Sequence, residues 1–170
     1  MYKRQALIAD FNEILADYNQ DAENAASLSR LGMGILISQM TARETQHMAV
    51  YLCGKVKFRL VITAYTFDLA SLTCALVECG QRLRDVKHSC VIVYADLGHT
   101  RSGGTLKMIE RINELTGGSV VVKCATGPRG SGKLHAKTLL ADNLLIHGST
   151  NWTNASAGNH ELSSLCLLYT

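Results

Sequence analysis

Six residues of types that handle phosphate fall within 17 residues, in the run LHAKTLLADNLLIHGSTNW: His135, Lys137, Asp142, Gly148, Ser149 and Asn151. Their spacing is H-x-K-x4-D-x5-G-S-x-N. Six fixed positions match by chance on the order of once in a million chains of this length. An imidazole supplies a nucleophile, and a lysine two positions away supplies a fixed cation. Two small polar side chains, Ser149 and Asn151, can donate to phosphate oxygens. Together these are the parts needed to attack a phosphodiester without a metal.

Positioning them is a matter of strand periodicity. From Leu134 to Leu140 the chain has no breaker and reads as a mostly buried strand, ended by the turn pair Asp142-Asn143. Residues two apart on a strand share a face, so His135 and Lys137 are expected on the same side. Asp142 is expected to point away and to accept backbone hydrogen bonds as a turn former, with no role as a general base. Leu144 to His147 reads as the returning strand of a hairpin. Gly148-Ser149 would then let the backbone come close to the phosphate.

This run resembles the HKD motif of the phospholipase D superfamily. The continuation Asn151-Trp152-Thr153 through Gly158-Asn159-His160-Glu161 is similar to that of its small single-motif members, the bacterial endonuclease and the Zucchini/mitochondrial cardiolipin hydrolase group. Five residues separate Asp142 from Gly148, where the family pattern usually has six, so the hairpin is one residue shorter. The resemblance covers about residues 57 to 168. It implies that His135, Lys137, Asn151 and Glu161 are catalytic and that Glu161 orients His135, with Gly148 and Ser149 binding phosphate. It also implies hydrolysis of a phosphodiester through a covalent phosphohistidine. That chemistry uses two histidines, so a chain with one motif is expected to work as a homodimer with the active site at the interface. No cofactor and no metal is expected. Nucleic acid, DNA or RNA, is the expected substrate; a phospholipid is the alternative, and an idle phosphate-binding interaction domain is a third reading.

A second motif competes. Residues 127–133, GPRGSGK, match G-x-x-x-x-G-K of a nucleotide-binding loop, but Leu134 stands where Ser or Thr must reach magnesium. The chain after Lys133 reads as a strand and not as the phosphate-binding helix. The segment is instead expected to be a loop at the mouth of the site, with Arg129 and Lys133 attracting phosphate by charge. None of the remaining histidines has metal-ligand spacing to a second His or Cys. Trp152 could stack on a base, but packing beneath the phosphate loop is the expected role. The six cysteines lack paired spacing and read as buried thiols.

Around the motif the elements alternate. Leu7, Phe11, Ile14, Leu15 and Tyr18 form one helical stripe, and residues 20–40 carry no clear period. Thr41 with Glu44 resembles a capping box opening a helix to about Cys53. Phe58–Tyr65 reads as a strand, and Asp68 as the cap of a helix with Leu69, Leu72, Leu76 and Leu83 on one face. Strands are expected at Ser89–Ala95, Ser119–Ala125 and Leu162–Leu168. A helix carrying Leu106, Ile109, Ile112 and Leu115 should close at Gly117-Gly118. The order predicts an α/β sandwich with a mixed β-sheet flanked by helices. Residues 1–55 read as a helical segment of unknown role, and 56–170 as the phosphodiesterase domain. Apolar residues make up 47% of the chain, enough for one proper core, and the net charge of +3 suits an anionic substrate without demanding nucleic acid. No run of about 18 apolar residues occurs. Acidic residues interrupt the start where a secretory signal would be apolar, so a cytoplasmic location is expected.

Overall fold

The computed structural model describes residues 34–100, 104–125 and 133–168. The stripe from Leu7 to Tyr18 and the loop segment that holds Arg129 lie outside the described residues.

The first of the described strands, β1 (Gly34–Thr41), passes directly into helix α1 (Ala42–Lys55). At that junction the Glu44 carboxylate accepts from Thr41 N at 3.0 Å and Thr41 Oγ1 at 2.9 Å, which is the expected capping box. Next come β2 (Arg59–Ala64), α2 (Ala70–Leu83), β3 (Cys90–Asp96), the single helical turn α3 (Leu97–Thr100), α4 (Gly104–Thr116) and β4 (Val121–Ala125). Gly117, at φ 56°, takes the left-handed conformation that stops α4. The hairpin β5 (Thr138–Ala141) and β6 (Leu144–Gly148) comes next, then a 3-10 turn at Ala155–Gly158 and β7 (Leu162–Leu168).

These strands form one mixed sheet in the order β1-β7-β6-β5-β2-β3-β4. The β2–β3 and β3–β4 pairs are parallel and joined through helices, while every other pair is antiparallel. Alternate residues of β2, β3 and β7 are buried, as period-two strands with one packed face require. Leu60, Ile62, Val91, Val93, Leu139, Ile146 and Leu165 share a core with Met48 and Leu52 of α1, Leu72 and Leu76 of α2, and Ile112 of α4.

Four expectations are corrected. Residues 34–55 do not stand apart as a helical segment: β1 pairs with β7 over Gly34–Thr41, and α1 buries its apolar face in the shared core. A shift of register between Leu36 and Ser38 breaks the alternation that would have revealed β1. The strand expected from Leu134 begins only at Thr138, and residues 133–137 are irregular. Asp68 does not cap α2, whose first residue is Ala70; its Oδ1 accepts from Asn154 N at 3.0 Å. The thiols are not uniformly buried: Cys53 and Cys79 are, whereas Cys74 and Cys124 are exposed.

Candidate active site

The parallel strands β2 and β3 end where the antiparallel strands β5 and β7 begin and β6 ends. Thr63 near the end of β2 pairs with Thr138 at the start of β5, and Thr138 pairs with His147 near the end of β6. Gly148 then pairs with Ser163 at the start of β7. All the described candidate residues except Asp142 therefore lie at one end of the sheet, beyond the carboxyl ends of β2 and β3. This is where open α/β sheets place ligand sites, because loops on either side of a change in strand order leave a crevice.

The segment carrying His135 is held by its neighbours in place of a strand ladder. Asp96, buried at the end of β3, accepts from Leu134 N at 2.7 Å. Thr63 Oγ1 accepts from Thr138 N at 3.0 Å and bonds Thr138 Oγ1 at 2.9 Å. Between these two anchors the chain presents an exposed His135 and a buried Lys137. Lys137 Nζ sits 3.0 Å from Nδ1 and 2.8 Å from Nε2 of His135, and donates to the His135 carbonyl oxygen at 2.8 Å. A neutral imidazole has one acceptor nitrogen, so either tautomer offers the ammonium a lone pair. The expected pairing of His135 with Lys137 is present, although irregular backbone and not a strand face produces it. Burial lowers the Lys137 pKa below the ordinary lysine value, and the negative charge of Glu161 opposes that shift.

Glu161 accepts from Asn159 Nδ2 at 3.0 Å, and among the described residues no hydrogen bond joins it to His135. Ser149 is engaged with the strand beside it. Its N donates to Leu162 O at 3.2 Å, and its Oγ accepts from Leu162 N at 3.3 Å. A Cβ on Gly148 would fall 2.4 Å from Ser163 Oγ and 2.5 Å from Leu162 O. The glycine is thus required by close approach of β7, a reason different from the expected approach to phosphate. Asn151 O accepts from Gln46 Nε2 at 3.2 Å, while its Oδ1 is buried with no donor among the described residues. Trp152 is completely buried: Nε1 donates to Thr63 O at 2.9 Å, and its carbonyl oxygen accepts from Asp68 N and Leu69 N, both at 3.0 Å. It packs in the core and ties the segment after β6 to the end of β2 and the entry of α2.

Asp142 lies at the opposite end of the sheet. At φ 49° it forms the β5–β6 turn, and its carboxylate accepts from Lys57 N at 2.8 Å, Phe58 N at 3.0 Å and Arg59 N at 2.9 Å. These bonds pin the entry to β2 against the hairpin. Lys133 is exposed and its Nζ donates to Tyr65 Oη at 3.2 Å. The backbone after Lys133 leads into a strand, so no phosphate-binding helix succeeds the competing motif. Tyr65, Asp96 and Gln46 were missed in the sequence because they reach the site from distant segments, and no local spacing marks them. Among the described residues no three His, Cys, Asp or Glu side chains gather as a metal-binding group, and no helix is long and apolar enough to cross a membrane.

No protein-family model and no curated sequence matches the chain. Solved structures do. Nuc from Salmonella typhimurium, a phospholipase D family member, superposes with a TM-score of 0.64 at 15% identity, over 81% of this chain and 85% of that one. NucT from Helicobacter pylori gives 0.64 at 17% identity, over 79% and 86%. Phosphatidylserine synthase from Haemophilus influenzae gives 0.58 at 12% identity, over 88% of this chain and 38% of that larger one. The chain shares the fold of Nuc, a phospholipase D family member.

Proposed function

We propose that this protein is a metal-independent phosphodiesterase, an endonuclease cleaving DNA or RNA through a covalent phosphohistidine. The observation that carries the reading is the His135–Lys137 contact of 2.8 Å at the loop end of this sheet. A nucleophile and a cation meet there at the place where such folds bind ligands.

In this reading a lone pair on a His135 ring nitrogen attacks phosphorus and forms an N–P bond. The P–O bond to the leaving alcohol breaks, and the imidazolium of a second His135, from a partner copy, gives that oxygen its proton. The second imidazole then takes a proton from water as the oxygen attacks, and the N–P bond breaks. Lys137, with Ser149 and Asn151, offsets the charge on the transferring phosphoryl group, and Glu161 keeps Lys137 protonated. The chain carries one motif, so a two-fold homodimer with facing sites supplies the second histidine. The net positive charge and the exposed Lys133 support a polyanionic substrate.

The test is an assay after EDTA treatment that offers single-stranded DNA, RNA and cardiolipin vesicles in parallel, with an alkaline quench to trap the adduct. Cleavage of nucleic acid with an acid-labile, base-stable phosphohistidine is expected. Turnover of cardiolipin alone would move the substrate class to phospholipid. A strict magnesium requirement without an adduct would sink the mechanism.

A further inference from the structure

Tyr65 directly succeeds β2 and belongs to no motif. Its ring centre lies 4.6 Å from that of His135, with the planes at 65° in an edge arrangement. Lys137 Nζ is 5.3 Å from the same ring centre and Lys133 Nζ 5.6 Å, and the hydroxyl accepts from Lys133. One side chain therefore touches the imidazole and both neighbouring ammonium groups. The electron-rich faces of aromatic rings attract cations, and their edges pack against other rings in this geometry.

His135 needs such a wall. It is exposed and sits on backbone outside any strand ladder, so sheet pairing does not restrict its ring. Lys137 borders the ring at its nitrogens, and Tyr65 borders it along a second direction. We propose that Tyr65 is a positioning residue of the active site: its ring holds the His135 imidazole ready for attack, and its hydroxyl holds Lys133 at the mouth to meet the incoming phosphodiester. The proposal rests on the phosphodiesterase reading above. It assigns the two effects to different atoms, so they separate by substitution.

Tyr65→Leu removes the wall and should lower kcat by about 10- to 100-fold, the penalty expected when a reacting group loses its alignment. Tyr65→Phe keeps the ring and should restore kcat to within about three-fold of wild type. Without its tether Lys133 must be ordered on binding, so KM should rise by about two- to five-fold in Tyr65→Phe. A structural role alone would not divide kcat from KM in this way. Unchanged kcat in a folded Tyr65→Leu protein, or equal loss of kcat in both variants, overturns the proposal. Tyr65→Met, flexible and of similar reach, replaces the leucine variant if that one fails to fold.

A second readout does not depend on turnover. The His135 ring protons, assigned by their loss in His135→Gln, should show a ring-current displacement that Tyr65→Phe retains and Tyr65→Leu abolishes. Identical His135 resonances in all three proteins would overturn the contact. A wild-type protein that cleaves no phosphodiester yet shows this displacement would refute the functional reading while leaving the Tyr65–His135 contact in place.

Discussion

The carbonyl oxygen of His135 accepts a hydrogen bond from Nζ of Lys137 at 2.8 Å, so the cation is bound to the backbone of the residue it assists. The same ammonium borders the imidazole nitrogens at 2.8 and 3.0 Å. In the proposed mechanism this ammonium occupies the imidazole's lone pair before substrate arrives, and a phosphate that draws the ammonium to itself frees that lone pair.

Removing either partner should therefore end catalysis without ending the fold. His135 is exposed, and its truncation leaves no core cavity. His135→Ala is expected to remove all measurable hydrolysis, and Lys137→Ala to cost about 100-fold or more, as loss of a charge-stabilising donor does. Circular dichroism should stay native in both. Turnover by purified His135→Ala protein would end the phosphohistidine scheme.

The alkaline limit of activity should report Lys137. Burial lowers its pKa, so the charged form is present below that depressed value and is lost as pH rises through it, before an ordinary lysine would titrate. Glu161 raises the Lys137 pKa. Glu161→Gln should consequently move the alkaline limb of the pH–rate profile to lower pH. A limb that stays in place, with kcat reduced at every pH, would instead assign Glu161 to orientation of His135.

Asp142 is expected to matter for stability and little for chemistry. Asp142→Asn keeps a residue that tolerates positive φ, but it turns a donor toward one of the backbone N–H groups the carboxylate receives. The cost should be about 1–3 kcal/mol, that of a strained or lost hydrogen bond at a partly buried site. Asp142→Ala should cost more, since it loses all three bonds and suits the left-handed conformation poorly. Urea unfolding measures both, and kcat of the folded fraction should remain within about three-fold of wild type. A large fall in kcat at unchanged stability would bring Asp142 back into the chemistry.

A composite site makes subunits interdependent. When His135→Ala subunits exchange with an equal amount of wild type, random pairing should halve activity per wild-type subunit, because about half of those subunits enter inactive pairs. Activity that stays constant across mixing ratios, or a fully active monomer in sedimentation at nanomolar concentration, would exclude the dimer scheme.

The sequence was most informative where chemistry is local. The H-x-K spacing, the Asp142-Asn143 turn, the Thr41–Glu44 box and β7 each depend on residues within one element. Tertiary partners decided the rest. The ladder of β5 starts at Thr138 and not at Leu134 because Thr63 takes the Thr138 N–H, while Asp96 has already taken that of Leu134. Asp68 resembles a helix cap by position, yet Asn154 arrives from 86 residues away and claims its carboxylate. Gly148 looked like a phosphate-loop glycine, and the demand on it comes from Ser163 and Leu162 across the sheet. Tyr65 carries no local signal at all, since its contact with His135 exists only after β2 and the segment before β5 have met.

The pairing of β1 with β7 has a consequence in time. Residues 34–41 find their partners at 162–168, and β7 in turn lies between β1 and β6. On a ribosome β1 must wait for more than a hundred further residues before its ladder can form. Loop closure over that distance is slow, and until it happens β1 remains an unsatisfied strand, open to pairing with other chains. The same closure seats Leu162 against Ser149 and brings Glu161 to Lys137. Acquisition of activity during refolding should therefore coincide with the slowest step of sheet assembly.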